Sequence, residues 1–320
     1  MKLNILTELI DGPWGGGNQF LKVLKKESLN RGEYTNIQSA DVILFNGHQD
    51  LYKVIDCKKK YPRKIFIHRI DGPMDYRGSQ GIKLDKKIFF VNKLVADGTV
   101  FQSQWSFNNT DTKLFDGIHK VIHNAPDQDI FHNKKMNKNR QPNDKIKLVA
   151  VSWSSNSLKG FDIYHYLDKY LDFNKYDMNF IGNVDSEFSN INLIKPMRSD
   201  DLADFLRSQD IFVFASKREA CSNSLLEALH CGLPALVRDC SSNAEVLKDN
   251  GVLFKHDNIL EKLDELSESI DYYKSKITLN FSEDVYDQYQ SFFKEVKMTA
   301  KNKIIRNAKI RKLQLKLGII

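Results

Sequence analysis

The chain has little cysteine and places none of it for pairing. Cys57, Cys221, Cys231 and Cys240 form no C-x-x-C, and no zinc-type spacing surrounds them, so reduced thiols are expected rather than a disulfide framework or a structural zinc. Long apolar runs are missing too: nothing approaches the roughly 18 residues of a membrane span. The opening Met1-Lys-Leu-Asn-Ile-Leu6 meets Glu8 and Asp11 too soon to serve as a secretory core, and a cytoplasmic protein is expected. Internal repeats and low-complexity tracts are absent, which excludes a solenoid. Acid is absent from residues 296–320, where Lys297, Lys301, Lys303, Arg306, Lys309, Arg311, Lys312 and Lys316 stand without one Asp or Glu. The formal charge is +7, so the rest of the chain sums to about −1 and the basic character belongs to the tail.

A chain of 320 residues with 41% hydrophobic and 11% aromatic content can build a core in each of two domains. Strand-like runs at Lys2–Leu6, Val42–Phe45, Lys64–Ile67 and Gly98–Phe101 alternate with polar or helical stretches, and the apolar spacing of Gln19–Leu29 is helical. Asp127–Lys145 is polar, rich in Lys and Asn, and contains Pro142, which predicts a hinge. The α/β pattern restarts at Ile146–Val151 and Met178–Ile181. Asp257–Lys274 and Glu283–Lys297 read as closing helices. Two α/β halves joined by a hinge imply a cleft where a ligand is buried.

The segment Phe214-Ala-Ser-Lys-Arg-Glu219-Ala-Cys-Ser-Asn-Ser-Leu-Leu-Glu227-Ala-Leu-His-Cys-Gly-Leu-Pro234 is the most informative. Ile211–Ala215 has strand character, Asn223–Cys231 reads as a helix ended by Gly232 with Pro234 barring continuation, and Ala235–Val237 is the next strand. In such a parallel unit, ligands sit beyond the carboxyl ends of the strands. The leading helix amides at Asn223, Ser224 and Leu225 offer a phosphate site. Glu227, one turn further in, is then placed to accept hydrogen bonds from hydroxyls such as a ribose, and Glu219 to reach hydroxyls carried by the outer phosphate. Ser224-x-x-Glu227 also fits a capping box, which would make Glu227 structural, and Glu219 alone also reads as a solvated loop charge.

Upstream, Asp11-Gly-Pro-Trp-Gly15-Gly16-Gly17 lies between a strand and a helix. Its glycines let backbone amides approach a phosphate or sugar, while the spacing is not G-x-G-x-x-G and does not indicate a nicotinamide cofactor. A tight turn without a ligand is the alternative. Ile65-Phe-Ile-His68-Arg69-Ile-Asp71 ends a buried strand in polar groups.

The stretch from Ile191 to Phe254, with Asp210-Ile-Phe-Val-Phe-Ala-Ser leading to Glu219, Leu226-Glu227-Ala-Leu-His-Cys-Gly-Leu-Pro-Ala-Leu-Val and Asn250-Gly-Val-Leu-Phe, resembles the donor-binding half of family 4 (group 1) retaining glycosyltransferases. The E-x7-E motif of that family falls on Glu219 and Glu227. The resemblance implies an α/β protein of GT-B fold: two Rossmann-like domains facing across a cleft, with a C-terminal helix crossing back to the first. It implies an acceptor-side domain at 1–140, a nucleotide-sugar domain at 141–281, and a crossover helix with basic tail at 282–320. Val151-Ser-Trp-Ser-Ser-Asn-Ser-Leu-Lys159-Gly160 resembles the family segment in which an Arg and then Lys-Gly hold the diphosphate. Lys159 and Gly160 match, but Ser154 stands at the Arg position, so Lys217 or Arg218 is expected to supply the missing charge. Gly16 and Gly17 are expected to line the cleft, and His68 to match the family's cleft histidine, with Arg69 and Asp71 as the alternatives.

Asp127-Gln-Asp129 looks like a D-x-D metal motif, yet His123–Phe131 resembles the family's interdomain linker. No metal and no cofactor are expected. The implied activity is transfer of a sugar from a nucleoside diphosphate to an acceptor hydroxyl, a glycan or lipid-linked one, with retention, in surface polysaccharide or glycolipid synthesis. A nucleotide-sugar epimerase of the same fold and a non-catalytic glycan- or partner-binding protein are the alternatives. The tail interleaves Ile304, Ile305, Ile310, Leu313, Leu315 and Leu317 with its cations, which fits either a membrane-surface helix or a solvated crossover helix; no aromatic interleaving points to nucleic acid.

Overall fold

A computed structural model describes residues 1–10, 15–111, 115–134, 144–299 and 303–318. The chain divides into two compact units: Met1–Ile10, Leu21–His123 and Ser282–Ile320 form one, and Asp11–Phe20 with Asn124–Phe281 the other. The linker predicted at Asp127–Lys145 is thus preceded by the partition, which falls at His123/Asn124 rather than 140/141. Asn124 is buried and its side chain donates to the Cys221 carbonyl at 3.4 Å and to Asn223 Oδ1 at 2.8 Å, which ties it to the second unit. Residues 135–143, including Pro142, lie outside the described residues.

The first unit is built on a parallel sheet of β1 (Leu3–Ile5), β2 (Val42–Asn46), β3 (Ile65–Ile70), β4 (Gly98–Phe101) and β5 (Ile118–Val121), in that spatial order. A single parallel bridge, Leu3 to Tyr34, continues it on the far side of β1. The connecting helices are α1 (Gly16–Asn30), whose residues up to Phe20 group with the second unit, α2 (Leu51–Lys60), α3 (Gly78–Val95) and the short α4 (Gln104–Asn108). β2 and β3 are buried along their whole length, as strands covered on both faces must be, and their sequences run apolar rather than alternating.

The second unit carries β6 (Ile146–Ser152), α5 (Phe161–Tyr170), β7 (Tyr176–Gly182), β8 (Asn192–Ile194), α6 (Ser199–Arg207), β9 (Ile211–Phe214), α7 (Asn223–His230), β10 (Ala235–Arg238), α8 (Asn243–Leu247), β11 (Gly251–Phe254), α9 (Ile259–Glu268) and α10 (Ile270–Lys276). Its sheet is parallel in the order β11-β10-β9-β6-β7-β8. The chain moves outward from β6 through β7 to β8, then returns to β9 on the other side. This is a doubly wound sheet whose direction reverses between β6 and β9. The predicted single helix at 257–274 is two, α9 and α10, interrupted at Ser269.

The chain closes with α11 (Ser282–Thr299) and α12 (Ala308–Leu317), both grouped with the first unit. α11 buries Val285, Tyr286, Tyr289, Phe292, Phe293 and Val296. A Cβ on Gly98 would stand 2.6 Å from a Val296 methyl, so only glycine fits β4 beneath this helix.

Candidate functional site

Where a doubly wound sheet reverses, the loops leaving the two central strands diverge and open a crevice at the carboxyl ends. In the second unit those loops are 153–160 after β6 and 215–222 after β9. A short 3-10 turn over Ser157–Lys159 ends at Gly160, whose φ is +87° and whose added Cβ would lie 2.1 Å from the Ala215 carbonyl oxygen. Glycine is required twice over, by dihedral and by space, and it lets the two loops touch. Lys217 N then donates to the Leu158 carbonyl at 2.8 Å, and Ser216 Oγ lies 3.2 Å from the same oxygen.

That contact delivers Lys159 to Glu219. The ammonium donates to Glu219 Oε1 at 2.6 Å, and Ser216 Oγ donates to the same oxygen at 2.7 Å. The Glu219 backbone is held as well, its amide donating to Ser241 Oγ at 2.9 Å and its carbonyl accepting from Ser242 Oγ at 2.9 Å. Glu219 is therefore not a free loop charge but a positioned carboxylate. Ser154, at the position where an Arg was anticipated, uses its hydroxyl to accept from Asn156 N at 3.2 Å and shapes the turn.

A second cluster lies beside the first. Asp162, in the first turn of α5, accepts from Arg238 Nη1 at 3.2 and 3.1 Å and pairs with Lys217 Nζ at 3.1 Å. Burial pushes its carboxyl up, but Lys217 and Arg238 outweigh this and hold it below the ordinary carboxylate range. Arg238 ends β10, and Asn243 Nδ2 ties its carbonyl (3.0 Å) to that of Ser216 (2.8 Å). Arg238 was missed by the sequence reading, although its place at the carboxyl end of a central strand was a usable signal. Arg218 follows Lys217 and is half-buried.

The tip of α7 differs from expectation in one respect. The N-cap is Ser222, whose hydroxyl accepts from Leu225 N at 3.3 Å, and Leu225 packs in the core. The Leu225 amide is thus spent on the cap and is removed from the anion-binding set. The amides of Asn223 and Ser224 stay without a partner among the described residues. Because the cap lies at Ser222, Ser224-x-x-Glu227 is not a capping box. Asn223 Nδ2 donates to the Gly16 carbonyl at 2.7 Å, which brings Gly16, and with it Gly17 in the first turn of α1, to this tip; residues 11–14 of that loop lie outside the described ones. Glu227 is half-buried, and nothing among the described residues hydrogen-bonds its carboxyl. Burial raises it to about 7.

His68 stands in the first unit. It sits inside β3, is 0% exposed, stacks on Phe45 at 4.1 Å between ring centroids, donates through Nε2 to the Gly47 carbonyl at 2.9 Å, and meets Asn92 Nδ2 through Nδ1 at 3.2 Å. Both nitrogens are spent inside the first unit, and burial lowers the imidazole to about 3. β3 runs two residues beyond His68, and the ring is enclosed among first-unit residues. Its neighbour Arg69 is equally covered, with Nη1 donating to Asn46 Oδ1 at 2.6 Å. Asp127 accepts from Asp129 N at 3.0 Å and caps its own turn.

Comparison with known proteins agrees with this geometry. A family model described as glycosyl transferases group 1 matches residues 177–270, which contain Glu219 and Glu227. Anabaena Alr3699/HepE, solved in complex with UDP, superposes over 100% of this chain and 99% of its own, with a TM-score of 0.61 and 13% identity. Sucrose-phosphate synthase of Thermosynechococcus elongatus aligns with 95% of this chain and 79% of its own, with a TM-score of 0.57 and 11% identity. At such identities the likeness establishes the fold, which is that of GT-B glycosyltransferases. A protein of Sulfolobus islandicus rod-shaped virus 1, "Uncharacterized protein 356", is 26% identical over 172 residues, 48% of each chain; this chain spans about half the length of that curated relative.

Proposed function

We propose that the protein is a retaining glycosyltransferase that moves a sugar from a nucleoside diphosphate to an acceptor hydroxyl on a glycan or lipid-linked saccharide, in the synthesis of a surface polysaccharide or glycolipid. The observation that carries this reading is the Lys159–Glu219 pair at the β6/β9 reversal, eight residues before an unpartnered Glu227, with both glutamates inside the group 1 glycosyl transferase segment. A charged pair shared between two loops supplies a cation for a leaving phosphate and a carboxylate for sugar hydroxyls.

In the reaction the anomeric C–O bond to the diphosphate breaks and its electron pair leaves with the phosphate oxygen. Lys159 and the amides of Asn223 and Ser224 receive that charge. Lys217 and Arg238, which pair with Asp162, supply the further positive charge that Ser154 does not. The acceptor hydroxyl forms the new bond on the face the diphosphate leaves, and its proton passes to the departing phosphate oxygen. Glu219 orients the sugar hydroxyls and Glu227 accepts from the nucleotide ribose. Gly16 and Gly17 bring backbone close to the phosphates. No protein metal or cofactor enters the scheme.

Thermal shift against a panel of nucleoside diphosphates and their sugars tests this. A ligand at a hundred times its dissociation constant adds about 2.7 kcal/mol of stability. One nucleotide should raise Tm in the native protein and much less in Glu227→Gln. No shift with any nucleotide overturns the reading; a shift without sugar transfer to any acceptor, together with epimerised nucleotide sugar, replaces it by an epimerase. The anomeric configuration of the product decides retention.

A further inference from the structure

The last helix is amphipathic twice over. At about 100° per residue, Ala308 and Leu315 of α12 fall on one line, and both are buried in the core formed with Val54, Ile55 and Cys57 of α2. Lys312 reinforces that seat, pairing with Asp56 at 2.9 Å. Ile305, just before the helix, is buried in the same core, and Lys303 donates to the Lys93 carbonyl at 2.8 Å. The helix is therefore docked on the first unit.

Directly opposite, about 180° around the axis, lies a second apolar line: Ile310, Leu313 and Leu317, spaced i, i+3, i+7 and 55%, 54% and 60% exposed. Lys309 and Lys316, both exposed, flank it on one side, and Gln314 on the other. Nothing acidic stands on this helix or anywhere from residue 296 onward. An apolar stripe bordered by cations fits a layer that is apolar below and anionic at its surface. A second copy of the same face would bring like charges together, and a nucleic acid would leave the stripe uncovered.

We propose that α12 is a membrane-surface anchor: the Ile310–Leu313–Leu317 stripe enters the acyl boundary of an anionic bilayer while Lys309, Lys316 and the preceding Arg306 meet its headgroups. No described helix is long and apolar enough to cross a membrane, so the contact is peripheral. The anchor is built into the first unit through Leu315 and Ala308, so membrane docking fixes that unit's orientation to the surface.

Flotation of the full chain with phosphatidylcholine vesicles, with and without phosphatidylglycerol, provides the test. Binding is expected only with the anionic lipid, weakening as salt rises. The variant Ile310→Ser, Leu313→Ser, Leu317→Ser should bind roughly a hundredfold less, since each side chain forfeits most of an apolar burial. These side chains face solvent, so circular dichroism and Tm should be unchanged. Absence of flotation with anionic vesicles, or flotation that survives the triple substitution, overturns the proposal. So does a dimer in sedimentation velocity that the same substitutions dissolve, which would give the stripe to a second copy.

Discussion

Both units place polar side chains at or near the carboxyl ends of central parallel strands, and they use them in opposite ways. In the first, His68 spends its ring nitrogens on the Gly47 carbonyl and on Asn92, and Arg69 donates to Asn46, all of them fully or almost fully buried. In the second, Lys159, Glu219, Lys217, Arg238 and Asp162 are paired yet partly exposed, and Glu227 has no partner among the described residues. A polar cluster buried and paired within its own unit serves the fold. One with exposed pairs and a vacant carboxyl has bonding capacity left for a ligand.

The sharpest way to break this contrast is in the closed region. Lys58 is buried on α2, pairs with Asp97 at 2.9 Å and lies over the Phe66 ring at 4.7 Å; Asp97 also accepts from Phe66 N at 2.8 Å. Lys58→Met leaves a buried carboxylate alone and should cost about 3–5 kcal/mol in denaturant unfolding. The open region should respond in activity instead. Glu219→Ala is expected to lower sugar transfer roughly a hundredfold, about 3 kcal/mol in the barrier, with Tm nearly unchanged.

The two regions also differ in pH response. His68, lowered to about 3, is buried neutral, so below its unfolded value near 6.5 the unfolded chain binds the extra proton. Its stabilising contribution is complete above 6.5 and is lost as pH falls toward 3. His68→Gln should flatten that acid limb by about 2 kcal/mol, leaving the part due to His230, which is lowered to about 4. Glu227 has the reverse sign. Its folded value is raised to about 7, so its neutral form favours the fold below 4.5 and that advantage is lost as pH rises through 7. Glu227→Gln should therefore stabilise the protein at pH 8 by about 1 kcal/mol and leave it unchanged at pH 4, while weakening nucleotide binding.

Much of the second unit was legible because local signals agreed. The apolar run at 211–215, the Gly232–Pro234 stop and the strand from Ala235 all appear within a residue or so of their expected positions. What local signals could not carry was depth and long-range pairing. The sequence shows that His68 is on a strand but not that Phe45 and Asn92 close over it. Arg238 acquires meaning only through Asp162, far away in the chain. The helical cap lies at Ser222 and not Ser224 because the chain enters α7 two residues earlier, which frees Glu227 from a capping role. The tail interleaves apolar residues with cations because α12 superimposes two stripes, one for the core and one for solvent.

The N-terminal ammonium donates to Gln290 Oε1 at 2.7 Å, and Tyr286 OH donates to Glu33 Oε2 at 2.8 Å. The first unit is therefore unfinished until α11 leaves the ribosome. The second unit, residues 11–20 and 124–281, is complete in sequence before then and can fold while the first still waits for its last layer. Birth order and assembly order are inverted in this protein: the half that is synthesised first is the one that is sealed last.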